Sequence, residues 1–155
     1  MNKLLFAAGL AICAAGAYAQ QSAMQETGGM KWICGGVGAD GRRELAALES
    51  QANLTLTFVT VKRGGYLADV GVQLYGAGAK SPLLQFTAGG PLCLLAVPAG
   101  RYRIEAAFGG AKRSTEASVA KDAKHALRVA LAFPDEPWDG IRASDEEKRQ
   151  AKEPW

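Results

Sequence analysis

The chain has 155 residues, 48% of them hydrophobic and 21% charged, with a formal net charge of +3. That length supports one small domain. The modest, scattered charge and the lack of an aromatic-basic RNA motif argue against nucleic acid as a partner.

Residues 1–19 read as a secretory signal peptide. Asn2-Lys3 precedes an apolar run from Leu4 to Ala15, and Ala17-Tyr18-Ala19 supplies the small residues of a cleavage site, which places the cut between Ala19 and Gln20. The run is too short to stay as a membrane anchor. Lipid modification at Cys13 is the competing reading, weakened by Ile12 where that pathway wants a small residue. The expected location is the periplasm, with no stable membrane anchor after cleavage.

Removing that segment leaves Cys34 and Cys93 as an even pair in an oxidising compartment, so a disulfide is expected, with two buried thiols as the alternative. Closing so long a loop restricts the unfolded chain by roughly 4 kcal/mol in the loop-entropy model. Two distant cysteines and the single His125 cannot furnish a four-ligand zinc shell, so neither metal nor cofactor is expected.

Residues 20–51 form a leader, a short extended piece and a helix. Gln20 to Met30 has few large apolar residues and is expected to be flexible; Lys31 to Cys34 is extended. Gly35-Gly36-Val37-Gly38 resembles a phosphate-binding loop only superficially, because no Gly-Lys-Ser/Thr follows, and it reads as a turn. Asp40 is placed to cap a helix over Arg42 to Glu49, in which Leu45 and Leu48 share a face expected to lie against the sandwich edge.

From Leu54 the pattern changes to apolar alternation broken by glycine or proline about every ten residues, the cadence of an all-β sandwich. Seven strands are expected, at about 54–61, 69–75, 83–87, 92–97, 101–108, 113–119 and 125–133. Gly109-Gly110 suits a two-residue hairpin. The turn Pro98-Ala99-Gly100 leads into a strand with Tyr102, Ile104, Ala106 and Phe108 on one face and Arg101, Arg103 and Glu105 on the other. Pro98, Gly100 and Tyr102 are therefore structural, with Tyr102 expected to be buried.

Three segments carry a family resemblance: Leu54 to Val61; Tyr66-Leu67-Ala68-Asp69-Val70-Gly71-Val72; and Val97-Pro98-Ala99-Gly100-Arg101-Tyr102-Arg103-Ile104. Over residues 52–133 they resemble the first strand, second-strand opening and "L-P-P-G-x-Y-x-V" signature of the carboxypeptidase regulatory-like domains. The resemblance implies a seven-stranded, transthyretin-like (prealbumin-like) Greek-key β-sandwich that is accessory rather than catalytic. Thr87-Ala88-Gly89-Gly90-Pro91-Leu92 departs from the family's acidic turn. Transthyretin-like sandwiches also include hydroxyisourate hydrolases, but their several histidines and C-terminal Tyr-Arg-Gly-Ser have no counterpart in His125 and Glu153-Pro154-Trp155.

Catalysis finds no support in the residues. His125 opens a strand after a polar turn, the serines lie in no nucleophile-elbow context, and paired carboxylates cluster in the tail. Trp32, Tyr66, Tyr75 and Trp138 are the candidate binding surface, since strand parity does not commit them to the core. Lys62, Arg63, Arg101, Arg103, Lys112 and Arg113, near turns, form either a solvated rim or a cluster for an anionic surface. Residues 134–155 carry seven acidic and four basic side chains against eight and thirteen in residues 20–133. They read as a charged tail, disordered in part or forming a short helix. The expected function is a non-catalytic secreted module that binds, or gives structural support, in the bacterial envelope, its partner an envelope protein or a glycan; a carbohydrate-binding module and a small transthyretin-like hydrolase are the alternatives.

Overall fold

A computed structural model describes residues 23–134. The expected signal peptide, Cys13, Trp138 and the expected tail beyond Pro134 lie outside the described residues.

The seven expected strands are present as β3 (Leu54–Thr60), β4 (Val70–Gly76), β5 (Leu84–Ala88), β6 (Leu92–Ala96), β7 (Gly100–Phe108), β8 (Ala111–Val119) and β9 (Leu127–Phe133). Two more precede them, β1 (Gln25–Thr27) and β2 (Met30–Gly35), so the count among the described residues is corrected to nine and the leader is not structureless. The reason lies in Gly28-Gly29: both take positive φ, 59° and 76°, and Thr27 pairs with Met30 across them. That is the backbone of a two-residue hairpin, as also found at Gly109 (55°) and Gly110 (78°) between β7 and β8.

The strands form two sheets, β1-β2-β6-β3-β9 and β5-β4-β7-β8, in which β3 and β9 are parallel and every other pair is antiparallel. Alternation puts Leu54, Leu56 and Phe58 of one sheet against Val70, Val72, Leu74 and Ile104 of the other, all essentially inaccessible. Cys34 and Cys93 face each other in the β2–β6 register and are joined by a disulfide, with Cα atoms 4.1 Å apart. The bond fastens the added strand to the centre of its sheet. Tyr102 is 7% exposed, and its hydroxyl donates to the Pro98 carbonyl at 2.6 Å, tying the turn to the strand it opens. Burial pushes its phenol pKa above the usual value.

Helix α1 (Gly38–Leu48) continues into a 3-10 turn, Glu49–Gln51. It starts earlier than expected; Val37 is the N-cap residue, and Asp40 lies inside the first turn, paired with Arg43, instead of capping. The helix also covers a face where an edge was expected. Met30, Trp32 and Cys34 contact the core, so Gly35, by parity, points to the outer side of the sheet, where the Leu45 side chain meets it. Leu45 is buried there; Leu94 and Thr55, paired in register on the outer side of the same sheet, are buried as well, and Arg128 bonds Glu49 at 2.9 Å.

At one place this packing demands glycine. A Cβ on Gly90 would sit 2.3 Å from the Gly35 carbonyl oxygen, because the β5–β6 turn runs directly over the end of β2.

Candidate functional site

The outward positions of the four-stranded sheet follow from register. Thr87, Gly71, Ala107 and Lys112 make one row across β5, β4, β7 and β8; Gln85, Gln73, Glu105 and Ser114 make the next; Tyr75, Arg103 and Glu116 begin a third. In the first row Gly71 has no side chain and Ala107 only a methyl. The sheet face therefore dips there, and the first two rows line a groove of about 720 Å³.

Hydrogen bonds fix the side chains along one wall. Arg103 lies over the Tyr75 ring, 4.4 Å from its centroid, and pairs with Glu105 at 3.0 Å. The Tyr75 hydroxyl donates to Gln73 Oε1 at 3.0 Å, and Gln73 Nε2 donates to Gln85 Oε1 at 3.2 Å. This series leaves the Gln85 amide N–H groups pointing onward as donors. At the β8 end, Arg113 is engaged by backbone, donating from Nε to the Ala132 carbonyl at 2.7 Å and so linking the two sheets. Lys112 is exposed and pairs with no carboxylate among the described residues. A smaller recess of about 240 Å³ lies further along the face, between Gly76, Arg101 and Ser118.

The candidate aromatics do not come together. Trp32 points inward and stacks on Phe86, with ring centroids 4.3 Å apart, and its Nε1 is buried without a hydrogen-bond partner among the described residues. Tyr66 is 71% exposed but belongs to the other sheet, bridged to Val59 of β3. Tyr75 has the outward parity expected, yet is only 8% exposed because Arg103 covers it. Only Tyr75 joins the side-chain network beside the groove, and Trp138 lies outside the described residues. Among the basic candidates, Arg103, Lys112 and Arg113 border the groove, whereas Lys62 and Arg63 follow β3 in the other sheet.

Gly71, Gln73, Gln85, Glu105 and Ser114 were not among the expected site residues. The odd-numbered parity of β4, opposite to Val70, Val72 and Leu74, would have found Gly71 and Gln73; Gln85, Glu105 and Ser114 join them only through strand pairing. His125 is exposed ahead of β9 and is not among the residues lining the groove. Among the described residues no three His, Cys, Asp or Glu side chains gather as a metal site requires. No family model matches the chain, and neither does any curated protein.

Proposed function

We propose that this chain is a non-catalytic, exported β-sandwich module that acts in the bacterial envelope by binding, with the groove on the four-stranded sheet as its binding surface. The observation that carries the reading is the bonded series from Glu105 through Arg103, Tyr75 and Gln73 to Gln85. These side chains are held in place before any ligand arrives, which lowers the ordering cost of binding. The disulfide suits an oxidising compartment such as the periplasm. The nine-stranded two-sheet architecture is compatible with a carboxypeptidase regulatory-like, Greek-key module, and we include that kinship in the proposal.

Gly71→Phe tests the surface. A Cβ there meets only the Ala107 carbonyl oxygen at 3.8 Å, so the ring projects into the groove without entering the core. The mature protein is expected to co-sediment with a bacterial envelope fraction, and the variant, melting like the parent, to remain in the supernatant. Equal sedimentation of both proteins would move the binding surface elsewhere.

A further inference from the structure

We infer that the groove takes a carboxylate-bearing, hydroxyl-rich chain, an acidic oligosaccharide lying across the four strands with its carboxylate on Lys112; this rests on the binding reading above. Charge comes first. Glu105 is already paired with Arg103 at 3.0 Å, and Arg113, opposite the inward-facing Ala106, carries its guanidinium away from the outer face toward the Phe133 ring and the Ala132 carbonyl, so among the described residues Lys112 is the cation that the outward rows present to a ligand anion. Placing a carboxylate there adds a charge-assisted bond at one end of the row.

The remaining groups select hydroxyls. Thr87 and Ser114 each both donate and accept, as sugar hydroxyls do, and Gln85, whose Oε1 already accepts from Gln73, offers its amide N–H groups as donors. The Gly71–Ala107 floor offers backbone and one methyl, a shallow surface suited to the C–H face of a sugar ring. Strands lie about 4.8 Å apart, so the row from Thr87 to Lys112 spans roughly 14 Å, enough for a short run of sugars. A peptide would lack this match: its backbone N–H and C=O groups would face the bonded wall instead of an open sheet edge.

The test uses the mature, disulfide-intact protein and its backbone amide spectrum. A uronic-acid hexasaccharide is the probe, with a neutral glucose hexasaccharide and hexaglutamate for comparison. The uronate is expected to shift the amides of Gly71, Ala107, Lys112 and Ser114 and to bind at least tenfold more tightly than either comparison ligand. Lys112→Ala should weaken it about tenfold, and Gly71→Phe should abolish it. Equal binding of the neutral sugar, or no effect of Lys112→Ala, would overturn the acidic requirement. Tighter binding of hexaglutamate would replace the sugar by an acidic peptide. If no probe shifts these amides while Gly71→Phe still reduces envelope sedimentation, the ligand class fails and the binding surface stands; if sedimentation is also unaffected, both fail.

Discussion

Tyr102 makes two separable contributions. Its ring fills the core beside Ile104 and Ala117, and its hydroxyl holds the Pro98 carbonyl at 2.6 Å. Tyr102→Phe keeps the ring and removes the bond, leaving a carbonyl short of its donor, and should cost about 1–2 kcal/mol. Tyr102→Ala removes both and opens a cavity, costing roughly 3–5 kcal/mol. At about 4 °C per kcal/mol for a domain of this size, the melting temperature should fall by about 4–8 °C and 12–20 °C. Arg101→Ala, on the exposed face, should stay within about 0.5 kcal/mol of the parent. Arg103 also points outward, so parity alone predicts tolerance; because it covers Tyr75, its alanine variant should lose about 1 kcal/mol, mostly from the ring contact, since its exposed ion pair is screened. The phenol adds a pH signature. Its folded pKa is raised, so above about pH 10 the unfolded chain releases the proton first and stability falls as pH rises. Tyr102→Phe should flatten that alkaline decline. Thermal melts of the four variants, with pH 8 and pH 11 points for Tyr102→Phe, decide the matter; Tyr102→Ala melting with the parent while Arg101→Ala collapses would reverse the strand's inside and outside.

Three further outcomes are expected. Cys34→Ala/Cys93→Ala should lose roughly 4 kcal/mol by urea denaturation, since the bond spans a separation of 59 residues; an unchanged midpoint would mean that β2 is held by its ladder alone. Gly90→Ala should destabilise by about 1–3 kcal/mol because its Cβ meets the Gly35 carbonyl, whereas Gly89→Ala, with open space around it, should melt with the parent. Thr55→Val should raise stability by about 1 kcal/mol, because the buried Thr55 hydroxyl has no partner among the described residues; a loss would show that the hydroxyl is satisfied in solution.

Most of the β-sandwich was legible from local rules. Period-two alternation and glycine or proline turns located β3 to β9 within a few residues, because both signals act between neighbours along the chain. The Cys34–Cys93 bond was legible from the even count left once residues 1–19 are read as an export signal, together with the expectation of an oxidising compartment. Tyr102 declared its burial by sharing parity with Ile104 and Ala106. The hairpin of β1 and β2 was legible too, in the same Gly-Gly signal used at Gly109-Gly110, but the polar Gln25-Glu26-Thr27 hid it; that strand has no apolar face and exists because β2 offers it a ladder. The remaining features depend on contacts between elements distant in the chain. Whether α1 lies on an edge or a face depends on how Leu45 meets Gly35 and Gly36, a matter of packing between elements. Tyr75 is shielded by an arginine 28 positions away in sequence, which no local pattern encodes. The groove is the most non-local feature, its rows assembled from positions 71 to 114 by the registers of three strand pairs. A one-residue slip in any of them would turn its side chains to the opposite face and erase it.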